Sequence, residues 1–90
     1  MNISVLGAGG WGTALAVLLH NNKQKVTLWE FEKEYAHTLD EFRENFYFLP
    51  KVKIPKNINI TNDIEAAVYN TDLIVVSTPT QYIRSVIENI

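Results

Sequence analysis

Apolar side chains fall along this chain in short runs divided by polar or glycine-rich breaks. Ile3-Ser4-Val5-Leu6 is a brief apolar run halted by glycine, which suits a buried strand. Thr13 to Leu19 is rich in helix formers and nearly apolar all round, as in a helix packed deep against a sheet. The polar stretch Asn21-Asn22-Lys23-Gln24 ends it. Val26-Thr27-Leu28-Trp29 is a second strand run, β-branched and aromatic. From about Glu32 to Asn45 the apolar residues Tyr35, Leu39 and Phe42 recur at spacings of four and three, one stripe of an amphipathic helix. The texture then changes. Phe46-Tyr47-Phe48-Leu49-Pro50 and the stretch from Lys51 to Ile54 before Pro55 place aromatics ahead of two prolines, and predict an ordered irregular loop.

Ile58-Asn59-Ile60-Thr61 alternates as a short strand does. Thr61 or Asn62 is placed to cap a helix from Ile64 to Tyr69, with Asp63 and Glu65 at its positive end. Leu73-Ile74-Val75-Val76 is apolar on both faces, the mark of a strand buried on both sides. Thr78-Pro79-Thr80 breaks it. Tyr82 to Ile90 reads as a helix with Ile83, Val86, Ile87 and Ile90 on one side. Strand and helix thus alternate four times, and this order predicts an α/β fold, a doubly wound parallel sheet of the Rossmann type. Such a sheet puts its first strand near the middle, with a ligand crevice at the carboxyl ends of the strands. A strand buried on both faces and a last helix with no cap suggest a truncated fragment. Residues 1–90 are expected to be the amino-terminal part of a dinucleotide-binding domain.

Composition narrows the function classes. The hydrophobic fraction of 47% and charged fraction of 20% are those of an ordinary globular protein. A net charge of -2 offers no footprint for nucleic acid or an anionic membrane. No apolar run approaches the roughly 18 residues of a membrane span, and the first residues lack a signal peptide's basic region. The expected setting is cytoplasmic. With no cysteine, disulfides and thiolate metal sites are excluded, and no metal site is expected.

The candidate chemistry lies in Gly7-Ala8-Gly9-Gly10-Trp11-Gly12, between a strand and a helix, the context this glycine fingerprint requires. Gly7 permits the tight turn, Gly9 lets a pyrophosphate approach the backbone, and Gly12 lets helix and strand pack closely. The helix amino terminus then faces the diphosphate. Glu30 and Glu32 stand roughly twenty residues on, where a carboxylate accepts the adenosine ribose hydroxyls and repels the extra phosphate of NADP. With no Arg from Trp29 to Glu34, the composition favours NAD over NADP. A solvated helix start is the plainer account of either glutamate. Phe31 suits the adenine face or ordinary packing. Trp11 suits a cover for the diphosphate, a wall on the nicotinamide side, or packing. His20 and His37 lack partners at ligand spacing and read as structural or exposed. No catalytic acid–histidine–nucleophile set can be assembled.

Together these residues resemble the NAD(P)-dependent glycerol-3-phosphate dehydrogenases. Gly7 to Ala16 looks like that family's opening signature, in which serine commonly stands at the position of Gly10. Asn45-Phe46-Tyr47-Phe48-Leu49-Pro50 is similar to its Asn-x-x-Tyr-Leu-Pro segment, with Phe48 for the usual tyrosine. Val76-Ser77-Thr78-Pro79-Thr80-Gln81 matches the stretch after the fourth strand. The resemblance implies an enzyme interconverting dihydroxyacetone phosphate and sn-glycerol 3-phosphate by hydride transfer, the source of the glycerophospholipid backbone. It implies that Gly10 and Trp11 contact the cofactor diphosphate and that Phe31 and Glu32 meet the adenosine end. Many bacterial members carry His-Arg at the latter pair, so Phe-Glu strengthens the NAD preference. It also implies that Phe48 lines the cofactor cleft, with Pro79 and Tyr82 near the nicotinamide half.

In that family the catalytic lysine and the substrate-phosphate residues lie beyond the fourth strand and in a helical domain, so no catalytic residue is assigned here. The 90 residues alone are expected to be inactive. The implied partners are the dinucleotide and, in the parent enzyme, a small phosphorylated triose or glycerol. Oligomeric state, a homodimer included, stays open. Two alternatives stand beside this reading. One is another Rossmann dehydrogenase of the 6-phosphogluconate or UDP-sugar type. The other is a non-catalytic NAD-sensing module, which fold alone does not separate from an enzyme.

Overall fold

A computed structural model describes residues 1–77 of the chain. Within β1 (Asn2–Leu6), Ile3 to Leu6 are all buried, and successive side chains serve opposite faces of the sheet. Val5 joins Val26 and Leu28 of β2 (Lys25–Trp29) on one face. Leu6 joins Trp29 on the other. Ser4 shares that second face, and its hydroxyl donates to the buried Ala67 carbonyl, so this polar group inside a central strand is satisfied.

The first face is covered by α1 (Gly10–Asn21) and α2 (Lys33–Phe42), which bring Ala16 and Leu39 to the core. Ile54 and Ile58, from the chain after α2, add to the same core. The second face is covered by the short α3 (Ile64–Val68), through Ala67 with Ile64 and Val68. The sheet is parallel throughout, in the order β5-β2-β1-β6, where β5 is Asn59–Thr61 and β6 is Leu73–Val76. Helices on both faces and β1 in an interior position are the doubly wound arrangement expected. Among the described residues no helix is long and apolar enough to cross a membrane.

Five expectations change in detail. The second helix stops at Phe42, because Arg43 turns left-handed (φ 57°) and its N–H closes on the Leu39 carbonyl. The Arg43 guanidinium then donates to the Pro55 and Ile58 carbonyls at 3.1 and 2.6 Å and to Asp40, pinning the following segment beneath α2. That segment is no irregular loop. Glu44–Asn45 (β3) and Leu49–Lys53 (β4) form a small antiparallel ribbon with an irregular register. The cap of α3 is Asp63, whose carboxylate accepts from the Glu65 and Ala66 N–H groups; Asn62 and Thr61 serve elsewhere. The first helix is not deeply packed. It buries Gly12, Thr13 and Ala16 on one side, while Leu18 is exposed. Nor is β6 buried on both faces. It pairs with β1 at one edge of the sheet, and Leu73, Ile74 and Val76 stay about half exposed, with Val75 packed on the core. The helix expected from Tyr82 to Ile90 lies outside the described residues.

Candidate functional site

Three strand ends converge at the carboxyl edge of the sheet. The Gly7 N–H donates to the Trp29 carbonyl at 2.9 Å, and the Ser77 N–H to the Leu6 carbonyl at 3.0 Å. The glycine turn therefore sits between the ends of β2 and β6. Gly7 adopts φ 119°, which side-chain-bearing residues rarely tolerate. The helix begins at Gly10, so Gly10, Trp11 and Gly12 form its first turn behind Gly9. Those first-turn N–H groups have no carbonyl within the helix to bind. No acidic side chain stands in that turn, and the cap is a glycine with no side chain of its own. The local potential is positive, and nothing from the helix start neutralises it.

Beside the turn lies a cleft of about 860 Å³, lined by Gly7, Ala8 and Gly9, by Trp29 to Glu32, by Tyr35, Tyr47 and Phe48, and by Ser77. Its volume is that of a small-molecule or cofactor pocket, roughly 300–1,000 Å³. A Cβ built on Gly9 would meet nothing within 4 Å, so the backbone there opens directly on the cleft. Phe31 and Phe48 line it while keeping more than half their surface exposed, at 59% and 58%. Trp11 is 70% exposed on the helix start and is not among the lining residues. A second cavity, of about 740 Å³, opens at the opposite end of the sheet among Asn2, Lys23, Lys25 and Asn70, far from the glycine turn. Pro79 and Tyr82 lie outside the described residues.

The two acids at the end of β2 differ. The Glu30 carboxylate accepts the Glu32 N–H at 2.9 Å. Burial pushes its pKa above the ordinary carboxylate range; the backbone N–H groups of Glu32 and Ala8 act against that shift, and the neighbouring Glu32 charge adds to it. Glu30 thus ties the end of β2 to the backbone that enters α2. Glu32 is exposed, and its side chain makes no capping bond to α2. Asn62 fixes this corner by donating to the Glu30 and Phe31 carbonyls at 2.9 and 2.7 Å, while the Trp29 indole N–H donates to the Asn62 carbonyl.

The aromatic wall is anchored in the same way. Asn45 is fully buried, and its amide nitrogen donates to the Ala8 carbonyl at 2.7 Å and to Thr13 Oγ1 at 2.8 Å. Its amide oxygen accepts from the Tyr35 hydroxyl and from the Phe48 N–H. The Tyr35 ring meets those of Tyr47 and Phe48 at centroid distances of 5.8 and 6.1 Å. The sequence offered Asn45 only as the head of a family-like segment, Asn62 only as a candidate helix cap and Tyr35 only as part of an apolar stripe, and assigned none of them to the site. The available signal for Asn45 was its place at the head of the Asn-x-x-aromatic-Leu-Pro segment.

A Cβ on Gly12 would fall 1.9 Å from the Gly7 oxygen, which is why no larger residue fits where helix and turn cross. The family description "NAD-dependent glycerol-3-phosphate dehydrogenase N-terminus" matches residues 2–90. The chain belongs to that family. Among curated relatives, the glycerol-3-phosphate dehydrogenase [NAD(P)+] of Fusobacterium nucleatum is 44% identical over 86 residues, covering 96% of this chain and 26% of the relative. That of Prosthecochloris aestuarii is 46% identical over 88 residues, covering 98% and 26%. The crystal structure of glycerol-3-phosphate dehydrogenase from Coxiella burnetii superposes with a TM-score of 0.90 at 32% identity, covering 98% of this chain and 27% of that one. The enzyme from Plasmodium falciparum gives 0.85 at 28% identity, covering 99% and 28%. The chain therefore spans about a quarter of the length of the relatives it matches.

Proposed function

We propose that this chain is the cofactor-binding part of a glycerol-3-phosphate dehydrogenase and that it holds NAD in the cleft beside Gly7–Gly12. The observation that carries the reading is the geometry of the turn: a helix start free of acidic side chains, with the Gly9 backbone open on a cleft of about 860 Å³. The residues present fit a dinucleotide. Gly9, Gly10, Trp11 and Gly12 offer backbone N–H groups to the diphosphate, where charge-assisted hydrogen bonds are strong. Phe31 lies where it covers the adenine, and Phe48 walls the cleft on the side of the ribbon. Pro79 and Tyr82, which the family resemblance assigns to the nicotinamide half, lie outside the described residues.

Glu32, exposed and without a capping bond, takes the ribose hydroxyls. Glu30 supports it by accepting the Glu32 N–H, and its charge adds to the repulsion of a second phosphate. NAD is therefore preferred to NADP. When bound, the cofactor supplies the hydride chemistry that interconverts sn-glycerol 3-phosphate and dihydroxyacetone phosphate. The residues of this chain bind and orient it. Polarising the substrate carbonyl falls to residues outside the 90, which alone bind without turnover.

Titration of nicotinamide fluorescence with NADH and NADPH in parallel tests this reading, with dihydroxyacetone phosphate then added to the full-length protein. The expected result is tighter binding of NADH and substrate-dependent oxidation. Glu32→Arg is expected to improve NADPH binding about tenfold or more, because a guanidinium pairs with the phosphate that the carboxylate repels. Absence of binding by either cofactor to folded protein overturns the reading of the turn. Binding without oxidation overturns the enzyme assignment and favours a sensing module.

A further inference from the structure

We infer that Asn45 is a positioning residue for the cofactor, setting the orientation of the Ala8–Gly9 peptide and the seat of Phe48 through one buried amide; this rests on the dinucleotide reading of the cleft. An asparagine side chain has two donor hydrogens and an oxygen with two lone pairs. All four are used here, on Ala8, Thr13, Tyr35 and Phe48. The Ala8 carbonyl only accepts, so the NH2 group must face it, which also fixes the amide's orientation. A trans peptide is planar, with its C=O and N–H pointing in opposite directions, and no cis bond occurs among the described residues. Drawing the Ala8 oxygen toward the buried amide therefore aims the Gly9 N–H away from the core, on the side where Gly9 lines the cleft. The same amide oxygen accepts the Phe48 N–H at 3.3 Å, so the diphosphate turn and the aromatic wall share one internal strut.

Gly10 sets how close that wall can come. A Cβ there would lie 2.6 Å from the Phe48 carbonyl oxygen, so the ribbon is seated on the helix start at a distance that excludes even alanine. The departure from serine at this position is thus matched by the close approach of Phe48, rather than being only the loss of a hydroxyl.

Asn45→Asp keeps the shape but replaces both donors by acceptors facing the Ala8 oxygen. In the full-length protein, binding is measured for NADH by fluorescence and for ADP-ribose and adenosine by competition. Adenosine lacks the diphosphate and should need only the Phe31–Glu32 end. The expected result is at least about tenfold weaker NADH and ADP-ribose binding, from a buried group left without its partner, and adenosine affinity within about twofold of wild type. Unchanged NADH and ADP-ribose binding overturns the inference. Equal weakening of all three ligands also overturns it, since that marks loss of folded protein. Should Asn45→Asp fail to fold by circular dichroism, Thr13→Val removes one acceptor without changing shape. It is expected to weaken both diphosphate ligands about threefold, and no change overturns the inference. If wild-type protein binds none of the three, the dinucleotide reading itself falls, and this inference falls with it.

Discussion

A methyl group added at Gly12 would stand 1.9 Å from the Gly7 oxygen and 2.4 Å from Ser77 Oγ. The hydroxyl can rotate aside; the backbone oxygen cannot move without shifting the turn from β1. Gly12→Ala is expected to destabilise the fold by more than about 3 kcal/mol, the upper range of overpacking costs, measured by denaturant unfolding. Glu30 makes a different prediction. Its folded pKa is raised by burial, so the folded state takes up the proton more readily than the unfolded one. Wild-type stability therefore falls as pH rises from the ordinary carboxylate range through the raised value. Glu30→Gln carries no charge at any pH. Its stability relative to wild type should increase as pH rises from the ordinary carboxylate range, as followed by thermal melts; a gap constant with pH would rule out a half-buried, ionising Glu30. The fingerprint glycines were legible as letters, because each spacing has a steric meaning. The roles of Asn45 and Asn62 were not, because their partners lie 37 and 32 residues away in the chain.

At the scale of elements, apolar periodicity located β1, α1, β2, α2, β5, α3 and β6, while the end of α2, the cap of α3, the ribbon and the depth of α1 and β6 differed. Helix α2 stops three residues early because Arg43 finds carbonyls at Pro55 and Ile58, a pairing no local pattern carries. The ribbon of β3 and β4 contains Pro50, and its short strands are fixed in place by the Asn45 and Arg43 contacts, so its sequence reads as loop. Helix α3 has only five residues, too few to be stable by itself. It depends on its cap and on Ala67 packing beneath the sheet. Asp63→Ala is expected to cost about 1 kcal/mol in urea unfolding. Asn62→Ala should instead loosen the Glu30–Phe31 corner, which separates the two adjacent polar residues by function.

For the molecule as a whole, alternation along β1 and β2 divides the core between two faces, and parallel strands bring their carboxyl ends to one edge. The site forms there because the N–H groups at the start of α1 have no carbonyl within the helix, while the peptide groups ending β1 and β2 are bonded to neighbouring strand ends and hold the turn in place. The expected central position of β1 follows from the same order of elements. The burial of β6 does not, since an apolar run records what a strand can bury and not whether a neighbour covers it. Among the described residues its outer positions stay about half exposed.

Local steric and periodic rules acting within a few residues were enough to establish the α/β class, the parallel sheet, the glycine turn, and the acids at the end of β2. Those features depend on backbone geometry, which short spacings encode directly. Tertiary structure alone decided that Glu30 turns inward while Glu32 stays open, that Asp63 rather than Asn62 caps α3, and that an apparent loop is a ribbon fastened to the glycine turn by Asn45. Asn45 reaches the Ala8 carbonyl, and Asn62 the Glu30 and Phe31 carbonyls, only after the chain has folded, which leaves the α3 cap to Asp63; Glu30 meets the Glu32 N–H two residues on, and packing decides which of the two acids is half-buried.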